Sequence, residues 1–425
     1  MEKEKDRPIP PLRGDVEPVP VDAEGRKMFA LHDPEGIARR TVALSPAGMA
    51  LATIFDGRHT AEDIRTFLRE RMKVELTLEQ ILSIALELEK EDLLETEKVL
   101  LARKRILDEF LQNPVRKATL AGSGYPEKPS ELSALFAKLM VEDARGPKKP
   151  VPEKPTRKAP PVGLVAPHID FERGGPVYAW SYQALSECPP PDLVVALGVA
   201  HASPDSPWTL TRKDYDTPYG PMKTSPELYR DFKDLLWYDP AADEWVHRRE
   251  HSLEFQALWL KSLWGEKAPP WLPVLVSSFE RFCTDKAPSS IETVEKALSA
   301  LGTRLAKRAK KGRIMILAGV DLAHVGPKFG DELELTPELR KKIEAEDRAT
   351  LAKALALDAD GFYLSGSGDG AWRHLCGLSA LYTAVRWMKA LGAQPGTLLG
   401  YAQGDDPQGG VVSFASAYFP TKLDA

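Results

Sequence analysis

Three histidines of this 425-residue chain follow apolar runs that are typical of buried strands. Because the carboxyl ends of parallel strands meet at one edge of a sheet, roughly 5 Å apart, we expect the three imidazoles to converge. Converging imidazoles are typical of a metal site, whereas three separately packed histidines are the structural alternative. The strands and their histidines are 164–166 with His168, 193–199 with His201, and 313–320 with His324.

Two further motifs carry groups that could do chemistry. In EHSLEF, residues 250–255, His251 and Glu254 are three residues apart and share one face if the segment is helical; an exposed helix start is the alternative. Cys376 lies in HLCGLSAL, just before an apolar helix. Because the amino end of a helix lowers the pKa of a thiol, Cys376 is a candidate metal ligand or nucleophile. A small buried residue is the alternative.

The length of 425 residues suits two or three domains. The composition, 43% hydrophobic and 28% charged, is that of a globular protein. The net charge of −5 predicts neither nucleic acid nor a membrane as a partner. The charged, Pro-rich start lacks the apolar core of a signal peptide, so we expect a cytoplasmic protein. The three cysteines form no CxxC pair, which argues against a disulfide framework.

The first 110 residues predict a disordered lead-in, 1–25, and a small α+β domain, 26–110. This domain opens with a hairpin around a turn at 33–36 and continues with three helices, an order typical of a winged helix. Residues 58–98 include eleven acidic and seven basic residues, which excludes DNA because phosphates require the opposite charge. The predicted helix caps are Ser45, Thr60 and Thr77.

Residues 113–425 alternate strands with helices. This order predicts an α/β domain with a mainly parallel or mixed sheet sandwiched by helices. A Lys- and Pro-rich segment, 146–161, is typical of a surface loop. Besides the strands that precede the histidines, the predicted strands are 272–277, 397–402 and 411–419, and the predicted helices are 291–309, 338–357 and 377–391.

The N-terminal domain resembles the PqqD-like peptide-recognition domains. The resemblance lies in the run LSPAGMALATIFDGRHTAEDI, residues 44–64, and in the helix that ends in EKEDLLE. It implies that the domain binds a leader peptide along its strand and its third helix. A structural or interdomain role is the alternative.

The larger domain resembles the Memo family, whose fold is similar to that of class III extradiol dioxygenases. The shared motifs are RKATLAGSGYP, APHIDF, LGVAHASP, TPYGPMKTS, EHSLEF, GVDLAHVG and HLCG, in this order. The resemblance implies that His168, His201 and Cys376 are metal ligands, that His324 is a general acid or base, and that Asp321 orients an imidazole or a bound water. We assign His251 to the catalytic residues together with His324 and Asp321.

The same resemblance implies the cofactor, the activity and the partners. Two imidazoles and a thiolate suit iron first, with copper or zinc as alternatives. We expect a redox or dioxygenase-like activity on a small molecule or a peptide, with a radical SAM protein as a partner, as in the AmmeMemoRadiSam group. Two alternatives are a non-catalytic metal- or peptide-binding protein with a partner-recruiting N-terminal domain, and an enzyme with Cys376 as nucleophile.

Two motifs depart from the Memo pattern. Gly124 stands where the family usually has Trp, and Ile169, Asp170 and Phe171 replace a small-Gly-Tyr step after the first histidine. Asp170 could compete as a metal ligand, and a solvated carboxylate is the alternative.

Overall fold

The computed structural model describes residues 6–23, 25–283, 286–368 and 371–422. The chain divides into two compact units, Met1–Gln112 and Asn113–Ala425. None of the helices in these described ranges is long and apolar enough to cross a membrane.

The N-terminal unit contains a three-stranded antiparallel sheet and four helices among its described residues. The hydroxyl groups of Ser45, Thr60 and Thr77 accept hydrogen bonds from the first turns of three helices, as the sequence predicts. The strands, in sheet order, are β1 (Glu17–Ala23), β2 (Arg26–His32) and β3 (Val42–Leu44). The helices are α1 (Pro46–Thr53), α2 (Ala61–Phe67), α3 (Leu78–Lys90) and α4 (Glu97–Gln112).

Strand β1 differs from the prediction of a disordered lead-in over residues 1–25. Its seven residues pair with β2 in continuous register, from Glu17 opposite His32 to Ala23 opposite Arg26. The backbone ladder orders this segment although its side chains are mostly exposed, and exposed side chains leave little hydrophobic signal in the sequence.

A buried arginine connects separate segments of the N-terminal unit. The side chain of Arg13 is fully buried and forms ion pairs of 2.7 Å with both Asp15 and Asp33. It also donates to the carbonyl oxygen of Asp92 at 3.0 Å. Burial would raise the pKa of Asp33, but hydrogen bonds from Arg13 and from backbone N–H groups outweigh burial and lower that pKa to about 2.

The substitution Asp33→Asn is expected to lower the unfolding free energy of the N-terminal unit by about 3 kcal/mol, because it removes a carboxylate from a buried cation. The pKa of Asp33 is lower in the folded than in the unfolded state. Its contribution is therefore complete above about pH 4 and is lost as the pH falls toward 2. Hydrogen exchange of α2 and α3 in the full chain measures the effect, with the exposed Asp108→Asn as control. Unchanged protection in Asp33→Asn would contradict the prediction.

The larger unit is built on a mixed sheet of eight strands within the described part of the chain. Its centre is parallel and its flanks are antiparallel, as the prediction of a mainly parallel or mixed sheet allows. The sheet order is β11 (Asp321–Val325), β13 (Val411–Phe419), β5 (Gly163–Ala166), β10 (Ile314–Gly319), β6 (Leu193–Val199), β9 (Trp271–Val276) and β7 (Trp208–Leu210), with β12 (Thr397–Asp405) paired to β13. Two short strands, β4 (Val115–Arg116) and β8 (Asp214–Tyr215), pair separately.

Helices cover both faces of this sheet. Along β6, Val195 and Leu197 face one apolar cluster and Val194 and Ala196 face the other, as alternation along a doubly buried strand requires. The sandwiched α/β architecture predicted from the sequence is thus confirmed. The helices are α5 (Pro129–Val141), α6 (Phe171–Ser186), α7 (Pro226–Lys233), α8 (Glu254–Trp264), α9 (Glu292–Ala309), α10 (Pro337–Leu355), α11 (Ala359–Ser367) and α12 (Leu378–Ala390).

The register of the central strands brings the carboxyl ends of β5, β6 and β10 to one edge of the sheet. Ala166 of β5 pairs with Gly319 of β10, and Ala318 pairs with Leu197 of β6, so these neighbouring strands end close together. The segments that follow them carry His168 and His201. His324 differs from the prediction, because β10 ends at Gly319 and His324 lies inside the separate strand β11, antiparallel to β13.

Candidate metal centre

Three imidazoles converge at this edge of the sheet. One ring nitrogen from each of His168, His201 and His251 lies within 4.8 Å of the others, so this group could hold a metal ion. The ring centroids are 5.0 to 5.3 Å apart. The rings of His201 and His251 are stacked at 14°, and the ring of His168 meets both of them edge-on.

One hydrogen bond fixes the backbone of His168 and another fixes its ring. Its backbone N–H donates to Asp321 Oδ1 at 2.9 Å, and its Nδ1 lies 3.0 Å from the carbonyl oxygen of Gly319. Because a carbonyl oxygen can only accept, Nδ1 carries the proton and Nε2 presents its lone pair to the other rings. The His168 side chain is only 2% exposed.

The other two rings share one buried carboxylate. Nδ1 of His201 lies 3.0 Å from Glu250 Oε2, and Nδ1 of His251 lies 3.4 Å from Glu250 Oε1. The His201 and His251 side chains are 39% and 36% exposed, whereas that of Glu250 is 4% exposed. The centre therefore opens to solvent on the side of His201 and His251.

Burial keeps two of the imidazoles neutral. It lowers the pKa of His168 to about 3 and that of His251 to about 4, so both are unprotonated at neutral pH, as metal ligands must be. Burial acts in the same direction on His201, but Glu250 outweighs it and raises the pKa of His201. The pKa of Glu250 lies well below its usual range, because His201, His251 and the Ser252 N–H together outweigh the effect of burial.

Cys376 and Asp321 both lie beside Nε2 of His168. The Cys376 Sγ is 3.5 Å and Asp321 Oδ2 is 3.6 Å from this nitrogen. Burial, followed by the Asp321 charge, raises the pKa of the Cys376 thiol well above its usual value. The expectation that a helix amino end lowers this pKa is therefore wrong, because desolvation dominates. A neutral thiol does not favour Cys376 as a nucleophile.

His324 lies outside the three-imidazole group. Its Nδ1 faces the carbonyl oxygen of Leu322 at 3.1 Å, and its backbone N–H donates to Arg373. Its ring meets Phe329 edge-on. Burial lowers the pKa of His324 to about 4, while Asp321 acts in the opposite direction.

Glu254 does not belong to the three-imidazole group, although it lies only three residues after His251. It begins α8, and its fully buried carboxylate pairs with the buried guanidinium of Arg116 and accepts from Tyr125. Arg116 also donates to the carbonyl oxygens of His247 and Glu250, both at 2.9 Å. This buried pair thus anchors the loop that carries His251.

The two departures from the Memo pattern have local structural roles. Asp170 caps α6, since its carboxylate accepts from the backbone N–H of Arg173 at 3.0 Å and pairs with Arg173 Nε at 2.6 Å. Asp170 is not a member of the three-imidazole group. Gly124 lies in a turn, where its N–H donates to the Leu120 carbonyl oxygen and a cavity of about 700 Å³ opens beside it.

A family profile described as "Memo-like protein" matches residues 116–418. The chain belongs to the Memo-like family. A MEMO1 family protein of Aquifex aeolicus (strain VF5) is 27% identical over 393 residues, which cover 92% of this chain and 96% of that protein. The MEMO1 family protein MJ0403 of Methanocaldococcus jannaschii is 28% identical over 316 residues, 72% of this chain and 99% of its own length.

One solved structure, an uncharacterized protein JW3007 from Escherichia coli K12, is 17% identical with a TM-score of 0.34. It covers 60% of this chain and 98% of its own. The Aquifex alignment spans more of this chain than the Asn113–Ala425 unit alone can supply. That Memo-like relative therefore shares part of the N-terminal unit.

The structure of this Memo-like chain brings together two of the predicted metal ligands, His168 and His201, and adds His251, which the sequence analysis assigned to catalysis. Cys376 as a ligand and the catalytic roles of His324 and Asp321 stay predictions. Sequence reasoning missed Glu250 and Arg116. Both residues open motifs that are shared with the Memo family, Arg116 in RKATLAGSGYP and Glu250 in EHSLEF, and this position was the signal that could have marked them.

The substitution Glu254→Gln is expected to lower the unfolding free energy of the larger unit by about 3 kcal/mol, because Arg116 would stay buried without its counter-charge. Urea unfolding followed by tryptophan fluorescence measures this loss. The exposed pair of Glu131 with Lys128 supplies the control Glu131→Gln, which should change the free energy by less than about 0.5 kcal/mol. Equal unfolding midpoints for the two variants would contradict the prediction.

Proposed function

We propose that this Memo-like protein binds one redox-active metal ion through His168, His201 and His251, and has a dioxygenase-like activity in which O₂ is the oxidant of a small molecule or a peptide. The observation that carries the proposal is the convergence of three imidazole nitrogens within 4.8 Å of one another. Two of these imidazoles are neutral at physiological pH, so their lone pairs are available to a cation.

Iron is the metal that we propose first, with copper and zinc as alternatives. Imidazole nitrogen suits all three metals, and the Cys376 thiol beside His168 offers a softer sulfur donor. When bound, iron or copper would supply redox chemistry, whereas zinc would supply an electrophilic centre only. Because this family carries a thiol where the related dioxygenases carry a carboxylate, we do not propose ordinary ring cleavage.

The chain's own groups would handle substrate and protons. The solvent-facing side of His201 and His251 is the proposed approach for substrate, since His168 is closed off. His324 donates from Nδ1 to the Leu322 carbonyl oxygen, so Nε2 can take up a proton, and its pKa of about 4 keeps it unprotonated at neutral pH. Asp321 would hold His168 in place through the backbone N–H.

Metal analysis of the anaerobically purified full chain tests this proposal. Wild type is expected to hold close to one equivalent of metal, and the His168→Ala, His201→Ala double variant is expected to lose it, because two of three imidazole ligands are gone. His59→Ala, which changes an exposed histidine of the N-terminal unit, is the matched control and should keep the metal. If wild type and the double variant both lack stoichiometric metal, the proposal is wrong.

We also propose that the N-terminal unit binds an extended peptide beside β3. This strand lies at the edge of its sheet, and a groove of about 560 Å³ lies between α1 and α3, lined by Gly48, Leu51 and Ile84 among others. An edge strand next to a groove suits strand addition, in which main-chain hydrogen bonds give affinity and the groove gives specificity. A non-catalytic protein that recruits a partner through this unit is the alternative function.

We also propose a radical SAM protein as a partner and the cytoplasm as the location. A radical SAM protein as partner rests on the AmmeMemoRadiSam resemblance alone. The cytoplasm suits a chain whose three cysteines are widely spaced and form no CxxC pair.

Selection of short peptides from a displayed random library tests the peptide site. Peptides selected on the full chain are expected to lose binding by more than tenfold in Ser83→Trp, because an indole at this exposed position would fill the groove. Asp108→Trp, on α4, is the control of equal bulk outside the groove lining. Selection of no peptide, or equal binding to both variants, would contradict this role.

A further inference from the structure

The carboxylate of Glu250 lies behind two of the three imidazoles. Its Oε2 is 3.0 Å from Nδ1 of His201, and its Oε1 is 3.4 Å from Nδ1 of His251. The two histidines are fifty residues apart in the chain. Their rings are nevertheless stacked with 5.0 Å between centroids, because they face the same acid.

Backbone donors fix this carboxylate independently of the imidazoles. The Ser252 N–H donates to Oε1 at 2.9 Å, and the His201 N–H donates to Oε2 at 3.1 Å. The loop itself is held from behind, since Arg116 donates to the Glu250 carbonyl oxygen. Glu250 is therefore fixed where it accepts from the His201 ring and lies in ion-pair contact with the His251 ring, and its side chain is only 4% exposed.

We propose that Glu250 is a positioning residue that holds His201 and His251 with protonated Nδ1 and free Nε2, and places one negative charge behind both metal-binding nitrogens. This inference rests on the proposed function and deepens it. A carboxylate that accepts from a ligand imidazole fixes its tautomer and raises its basicity. Here one carboxylate accepts from His201 and places its charge 3.4 Å from Nδ1 of His251.

The third imidazole provides the contrast. Nδ1 of His168 donates to the neutral carbonyl oxygen of Gly319, which fixes the ring without adding a charge. The ligand set is thus asymmetric. The Glu250 carboxylate lies behind His201 and His251, whereas the uncharged Gly319 carbonyl lies behind His168. A negative charge behind the ligands favours the more highly charged state of a bound metal, so it lowers the reduction potential.

The test compares Glu250→Gln with wild type by titrating the metal-free full chain with Co²⁺ and then with Cu²⁺. The glutamine has nearly the same shape, but its NH₂ group would face the N–H donors of His201 and Ser252. We expect the Kd for Co²⁺ to rise between tenfold and a hundredfold. We also expect the Cu²⁺/Cu⁺ potential to shift upward, a change that a merely structural role would not produce.

Two variants complete the comparison. Glu250→Asp keeps the charge but shortens the side chain, so the potential should stay closer to that of wild type than in Glu250→Gln. Glu280→Gln, an exposed glutamate on the surface, is the matched control and should bind Co²⁺ as wild type does. If wild type binds Co²⁺ and Glu250→Gln has the same Kd and potential, the role of Glu250 is overturned while the metal site stands. If wild type binds no Co²⁺, both proposals are overturned.

A measurement on the metal-free wild type keeps the inference testable if Glu250→Gln fails to fold. Long-range ¹H–¹⁵N NMR of the histidine side chains at alkaline pH reports which ring nitrogen carries the proton. We expect His201 and His251 to be protonated at Nδ1. Protonation at Nε2 in either ring would overturn the proposal.

Discussion

A carboxylate buried at the end of a sheet is strongly destabilising unless donors and positive charge compensate it. Glu250 accepts from two backbone N–H groups and from the His201 ring, and it lies in ion-pair contact with the His251 ring. This requirement organises the centre. The acid needs its donors on fixed elements, so the rings of His201 and His251 are drawn together around it. Burial of the same region keeps His168 and His251 neutral. The charge of Glu250 is thus the electrostatic counterpart of the cation that the imidazoles could hold.

The scaffold supplies what this arrangement needs. Adjacent parallel strands deliver the segments of His168 and His201 to one edge, and their apolar residues on both faces make the sheet a rigid support. His251 comes from a loop rather than a strand end, and the buried pair of Arg116 and Glu254 fixes that loop. A second charged pair, itself outside the centre, therefore determines where the third imidazole lies.

Much of the fold and part of the centre could be predicted from local sequence. Alternating apolar runs and capping residues such as Thr60 and Thr77 depend on neighbours a few residues away. The convergence of His168 with His201 follows from the geometry of parallel strands. The roles of Glu250 and Arg116 could not be found this way, because their partners His201 and Glu254 lie 49 and 138 residues distant. His324 was misplaced because the chain leaves β10 after Gly319 and begins a new strand, β11, beside β13, and the hydrophobic pattern does not show this change of neighbour.

The unequal exposure of the three rings has a kinetic consequence. The side chains of His201 and His251 are partly exposed to solvent, whereas that of His168 is buried. An ion that arrives from solvent would meet the stacked pair before it reaches the third nitrogen, and an ion that leaves would release the pair last. Binding and release of the metal ion would then proceed stepwise on the solvent-exposed side of the centre, without opening of the sheet. The rate of exchange would be governed by the motion of two side chains rather than by unfolding of the domain.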